Sequence, residues 1–206
     1  MVILTLFNLD DENALIIACK GKERELITLI LNAMTRNRPD VVTAVNQTDK
    51  WSKSPLSIVA TLGLPEIIEL LLNHGANPNN HGTEEIPIIN AIKTKCFASV
   101  QHLINAHANV NAVDKSGQSA LHYAVKGEKA NIVKLLLEAG ADVNAKNKHN
   151  QTPLHFAIQC SKVQVNTSLR VEKLLLDFGA DINAADNLGK NSVHISFNTF
   201  FSFTNS

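Results

Sequence analysis

The chain has 206 residues, 45% of them hydrophobic, and its 19 Lys plus Arg are matched by 19 Asp plus Glu. That length and apolar fraction support one or two folded domains and exclude wholesale disorder. A formal charge of zero lacks the basic excess with which a general nucleic-acid binder meets phosphates, so no nucleic-acid partner is expected.

In chain order, the first segment reads MVILTLF. It has no basic leader and is far too short to span a bilayer, so neither a signal peptide nor a membrane partner is expected. Asn13-Ala14-Leu15-Ile16-Ile17-Ala18 opens a helix, and a second apolar helix follows. About eight extra residues lie around Thr35 to Asp40. Pro39 there is expected to stop an extended helix.

From residue 54 a block recurs: Ser54-Pro55-Leu56-Ser57, Ile86-Pro87-Ile88-Ile89, Ser119-Ala120-Leu121-His122 and Thr152-Pro153-Leu154-His155. The second positions are 55, 87, 120 and 153, steps of 32, 33 and 33. A second block keeps the same period: Leu70 to Asn79, Leu135 to Asn144 and Leu174 to Asn183, with His102 to Asn111 a degraded copy. Thr152 suits a helix N-cap, and Pro153 suits a first turn whose N–H groups are unpaired anyway. Gly140 supplies the left-handed residue that ends a second helix. Asn150 stands where Gly117 and Gly189 stand, and Asn is tolerated at positive φ. The polar stretch 144–151 suits a hairpin or turn. One such unit leaves an apolar face bare, and stacking covers it.

These two motifs, in step over nearly the whole chain, resemble the ankyrin repeat, whose unit carries TPLH, a Leu run and GADVN. The resemblance implies an all-α solenoid of stacked helix-turn-helix units with β-hairpin or turn fingers. One domain of about six repeats over 1–206 is expected, with units at 10–47, 48–80, 81–113, 114–146, 147–185 and an incomplete 186–206. An aromatic tail at 197–206 is expected to cover the open end. Unit 5 carries about six extra residues within Ser161 to Arg170. Unit 3 lacks the capping Thr and the His, and His107 takes a glycine slot, so it is expected to be the weakest joint. The recurrence of His122, His155 and His194 at one slot argues for hydrogen bonds that join units rather than for catalysis.

The resemblance also implies a non-enzymatic module that binds a partner protein through finger tips and a concave helix surface, as adaptor, scaffold or inhibitor. A host-directed effector of an intracellular bacterium or virus is the alternative, and a piece of a larger enzyme the remote one. Carried onto this sequence, the partner-binding positions are Asp49, Lys50, Trp51 and Lys53 in one finger, then Asn80, His81, Glu84 and Glu85. Lys115, Ser116 and Gln118 follow, then Lys148, His149 and Gln151. Asn187, Leu188 and Lys190 extend the row. Thr61, Lys93, Lys126 and Gln159 are expected to face it from the first helices.

Trp51 is the one Trp and sits among polar residues. It reads either as an interface anchor or as a ring folded back on the neighbouring unit. Tyr123 and Phe156 read as core. Phosphate cradles, HExxH, paired-Cys zinc spacing and the GxSxG elbow are all missing from the sequence, so no catalytic residue, cofactor or metal ligand is expected. Cys19, Cys96 and Cys160 are far apart and odd in number, which fits small buried hydrophobes in a reducing compartment. A cytoplasmic monomer is expected, in a host cytoplasm if the chain is exported.

Overall fold

The computed structural model describes residues 10–35, 38–79, 85–160 and 165–192. They form eleven helices and no strand, with a lone antiparallel bridge between Val113 and Ser119. Two compact units divide the chain, at residues up to Asn109 and from Val110.

The first unit holds α1 (Ala14–Gly21), α2 (Arg24–Met34), α3 (Arg38–Asn46), α4 (Pro55–Leu62), α5 (Pro65–Asn73), α6 (Pro87–Lys93) and α7 (Phe97–Asn105). Side-chain caps mark the starts of α1 and α4. Asn13 Oδ1 accepts the Ile16 N–H at 2.9 Å, and Ser54 Oγ accepts that of Ser57 at 3.2 Å. Such N-caps contribute about 1 kcal/mol each. α6 starts at Pro87 behind Ile86, which offers no side-chain cap. Each first helix pairs with the helix after it, and α4 packs between α1 and α6. Leu15, Ile16, Ile27, Leu31, Leu56, Ile68, Leu71, Ile88 and Leu103 fill the interior. Burying one such side chain contributes about 1.5–3 kcal/mol.

One expectation fails in α3. The extra residues of the first repeat form a helix that packs on α2 and α4, and Pro39 lies in its first turn instead of ending its predecessor. A residue without an N–H costs nothing there, because the first-turn donors have no partner within the helix.

The second unit holds α8 (Ala120–Lys126), α9 (Ala130–Glu138), α10 (Pro153–Cys160) and α11 (Val165–Asp177). α8 packs on α10 and α9 on α11. Leu121, Ile132, Val133, Leu136 and Leu175 are buried between them. At 13 residues α11 is longer than the nine of α9, so part of the insertion expected within Ser161 to Arg170 is helical. The remainder of that insertion at 161–164, the aromatic tail and His194 lie outside the described residues.

Two recurring left-handed residues end the helices. Lys22, Gly63, Lys95 and Glu128 close α1, α4, α6 and α8 with φ of 59°, 67°, 59° and 55°. Gly75, His107, Gly140 and Gly179 follow α5, α7, α9 and α11 with φ of 87°, 60°, 86° and 86°. His107 takes the left-handed conformation expected of its glycine slot.

Asn side chains then tie consecutive repeats within each unit. Asn46 Nδ2 donates to the Gly75 carbonyl at 2.9 Å while its Oδ1 accepts the Asn77 N–H at 2.7 Å. Asn79 does the same with His107 and Asn109, at 3.2 and 2.8 Å. In the second unit Asn111 clamps Gly140 and Asp142, and Asn144 clamps Gly179 and Asp181. A carboxamide suits the task because it is donor and acceptor at once. Asn46 is the last residue of α3, so the inserted helix delivers a rung of this ladder.

Candidate functional site

Between helix pairs the chain makes a five-residue turn, seen at 49–53, 114–118, 147–151 and 186–190. The first residue is Asp49, Asp114, Asn147 or Asp186. In each turn its Oδ1 accepts the N–H of the third and fifth residues, at 2.8 to 3.0 Å. Its backbone N–H bonds the fifth residue's carbonyl, and the fourth residue's N–H returns to its own carbonyl. A short side chain with an acceptor oxygen is what such a turn demands. The fourth residue is left-handed: Ser52, Gly117, Asn150 and Gly189 have φ of 61°, 73°, 55° and 69°. Gly117 is doubly constrained, since a Cβ there would lie 3.1 Å from the Lys148 backbone nitrogen.

Neighbouring turns are bonded through the main chain within each unit. Lys50 N–H meets the Asp10 carbonyl at 3.1 Å, Lys148 that of Ser116 at 3.1 Å, and Asn187 that of His149 at 3.0 Å. The second and third residues of each turn therefore have fixed backbones and solvent-facing side chains. Lys50 and Trp51, Lys115 and Ser116, Lys148 and His149, and Asn187 and Leu188 are all exposed.

The two described histidines of the recurring slot are structural. His122 and His155 are fully buried. His122 Nε2 lies 2.9 Å from the Gln151 carbonyl, and His155 Nε2 lies 3.1 Å from that of Lys190. A carbonyl only accepts, so Nε2 carries the proton in both. Each Nδ1 then accepts from its capping residue: Ser119 N–H and Oγ for His122, Thr152 N–H and Oγ1 for His155. Every lone pair and proton of the neutral ring is used to bind a helix start to the following finger. Burial pushes His122 below the ordinary imidazole range, despite the opposing pull of the Gln151 carbonyl and of Asp114 and Asp142.

Trp51 stays 52% exposed yet is braced. The Lys50 ammonium lies 4.4 Å from its ring centre and the Lys20 ammonium, reaching from α1, lies 5.2 Å away. Lys20 is itself held by Glu12 and by Asp49 at 3.0 Å, and Lys50 pairs with Asp10. Cations over an indole attract its electron-rich face. The ring is thus tethered to the neighbouring repeat and still presents about half its surface to water.

Asp49 requires a correction. Expected as a contact, it is 3% exposed. Burial opposes ionisation of its carboxyl, but the Lys53 N–H, the Lys20 ammonium and the Trp51 N–H hold it below the usual carboxylate range. Lys53, Gln118 and Gln151 are half-buried at the bases of their fingers. Asn80, His81 and Glu84 lie outside the described residues. Thr61, Lys93, Lys126 and Gln159 are exposed at one equivalent helix position. Tyr123 and Phe156, expected in the core, are half-buried instead. Tyr123 Oη donates to Asp114 Oδ2 at 2.6 Å, and Phe156 meets the His122 ring edge-on with centres 5.2 Å apart.

Of the cysteines, Cys19 is buried and Cys96 and Cys160 are half-buried, against the expectation of three buried thiols. Burial raises the Cys19 thiol to about 12, which removes it from nucleophilic chemistry. Among the described residues no cluster of three His, Cys, Asp or Glu side chains has metal-binding geometry, and no helix is long and apolar enough to cross a membrane.

A family model described as ankyrin repeats in three copies matches residues 88–186, and a single ankyrin repeat matches residues 52–82. The chain belongs to the ankyrin repeat family. Its fold is accordingly the all-α ankyrin-repeat solenoid, and ankyrin repeats are in general non-enzymatic protein-interaction modules. Among curated relatives, alpha-latrotoxin-Lg1a of Latrodectus geometricus is 33% identical over 88 residues, 41% of this chain and 6% of the toxin. Neurogenic locus notch homolog protein 4 of Homo sapiens is 37% identical over 78 residues, 37% of this chain and 4% of that protein. Neurogenic locus notch homolog protein 1 of Xenopus laevis is 35% identical over 83 residues, 38% of this chain and 3% of that protein. The chain spans only a few per cent of the length of these relatives, so the likeness is one of repeats.

Proposed function

We propose that this ankyrin-repeat chain is a non-enzymatic docking module, acting as adaptor, scaffold or inhibitor through its finger tips and the exposed ends of its first helices. One observation carries the reading. The turn backbones are locked by Asx side chains and finger-to-finger hydrogen bonds, while tip side chains such as Trp51, Lys148 and His149 face water. A rigid backbone bearing exposed side chains lowers the entropy lost on binding. The half-exposed, pre-positioned indole has the character of an interface anchor.

The test is affinity capture from cells that express the protein, after circular dichroism shows equal folding of all variants. Trp51→Ala with Lys148→Ala removes tip side chains. Glu69→Ala with Lys134→Ala removes exposed charges on the second helices α5 and α9. Loss of a captured protein in the first variant alone is the expected result. Equal capture by both variants would place the interface off the fingers.

A further inference from the structure

The two units treat their finger charges differently. In the first, the lysines near the finger are neutralised within the fold: Lys50 by Asp10, Lys53 by Glu85 at 3.2 Å, Lys20 by Glu12 and Asp49. In the second, Lys148 and Lys190 in the fingers and Lys126 at the end of α8 are exposed and make no ion pair among the described residues. The carboxylates of those fingers are turned inward. Asp114 and Asp186 each give Oδ1 to two backbone N–H groups, and Asp114 Oδ2 takes the Tyr123 hydroxyl. Backbone N–H groups are the hydrogen-bond donors to Oδ1 of both acids, and the nearby Lys190 charge also favours the Asp186 carboxylate. The result is a row of cations on a fixed backbone.

Apolar surface accompanies the row. Leu188 is 76% exposed at a tip, where burial on binding is favourable and exposure in the free chain is not. Tyr123 and Phe156 are half-buried on the first helices beside these fingers. Separated lysines steer carboxylates and raise the encounter rate, while aromatic and aliphatic surface supplies the affinity that exposed ion pairs lack.

We propose that the fingers of residues 110–192 dock an acidic peptide segment interspersed with apolar side chains. Its carboxylates meet Lys126, Lys148 and Lys190, and its apolar groups cover Leu188, Tyr123 and Phe156. This rests on the finger-docking reading above and names its partner's chemistry.

The experiment selects a displayed library of random peptides on the full chain and then measures one labelled clone by fluorescence anisotropy. Enriched clones should be acidic with interspersed Leu, Ile or aromatic residues. Lys148→Glu with Lys190→Glu should weaken the clone by at least about tenfold, Lys134→Glu on α9 should not, and binding should fall with salt. Clones that are neutral or basic, yet are blocked by the bulky tip substitution Ser116→Trp, would overturn the acidic class and leave finger docking standing. Clones indifferent to both the charge reversal and Ser116→Trp would overturn the docking reading as well. Polyglutamate or single-stranded RNA binding as tightly as the clone would also overturn the proposal, since the apolar contacts would then contribute nothing.

Discussion

His107 occupies the only helix-ending slot of its kind that is not glycine among the described residues, and His107→Gly is expected to stabilise the chain. Its φ is 60°, against 87°, 86° and 86° at Gly75, Gly140 and Gly179. A side chain in the left-handed region costs roughly 1–2 kcal/mol. Glycine returns roughly 0.4–1 kcal/mol of this through its greater freedom in the unfolded chain. The net gain is about 0–1.6 kcal/mol, with about 0.8 kcal/mol at the middle of both ranges. The local hydrogen bonds survive the change because they use the backbone: His107 N–H to the Ile104 carbonyl at 2.9 Å, and Asn79 Nδ2 to the His107 carbonyl at 3.2 Å. The reciprocal change checks the cause. A Cβ at Gly140 meets nothing within 4 Å, so Gly140→His should cost a similar energy with no clash. Urea unfolding followed by circular dichroism gives the sign, and amide exchange in α7 and α9 localises it, which matters where repeats unfold in parts. A His107→Gly chain no more stable than wild type, or a Gly140→His chain unchanged, would refute the argument.

Asn144→Ala removes the Gly179 and Asp181 hydrogen bonds and should cost about 1–2 kcal/mol in urea unfolding. An unchanged midpoint would mean that water replaces both bonds at no cost. His122 is held below its ordinary value of 6.5, so the folded chain binds fewer protons there than the unfolded one. Its contribution to stability is complete above that ordinary value and is lost as pH falls below it toward the depressed one. Thermal melts in mildly acidic buffer should show this slope, and His122→Gln should flatten it; parallel profiles for the two proteins would sink the assignment. A thiol-alkylating reagent should modify half-buried Cys96 and Cys160 in the native chain well before Cys19, as read by mass spectrometry. Equal rates would show that α1 and α2 open more readily than their packing implies.

Much of this was legible in the residues. The period, the caps at Ser54, Ser119 and Thr152, and the glycines at 75, 140 and 179 are local signals with local causes, and they specify the helix pairs. The histidine slot was legible through its repetition. Asp49 was misread because an acid among polar residues looks like surface. Yet Asp or Asn recurs six residues before Pro55, Ala120, Pro153 and Ser192, and that spacing is the turn's signature. Left-handed residues at Lys22, Lys95 and Glu128 left no mark, because the residue type tolerates the conformation without requiring it. Pro39 was ambiguous in kind: a proline after a helix is equally a proline starting the next. The bracing of Trp51 by Lys20 joins residues 31 apart in sequence, and nothing near either one announces it.

Within each finger, structure and recognition fall on different residues. The first and fourth positions are dictated by the turn, since one must accept two N–H groups and the other must be left-handed. The second and third carry no such demand on their side chains, and there the chain places Lys50-Trp51, Lys115-Ser116, Lys148-His149 and Asn187-Leu188. Substitutions at the two classes should therefore separate. Asp49→Ala loses the Trp51 and Lys53 hydrogen bonds, about 2 kcal/mol at about 1 kcal/mol each, and frees Lys20 from its second carboxylate. Lys148→Ala lies on the surface and should stay within about 0.5 kcal/mol of wild type. A binding loss in Asp49→Ala accompanied by a lowered unfolding midpoint is damage to the turn, whereas a loss in Lys148→Ala at an unchanged midpoint is damage to the contact. If Asp49→Ala left the midpoint unchanged, the carboxylate would not be what holds the finger, and Asp49 would return to the candidate contacts.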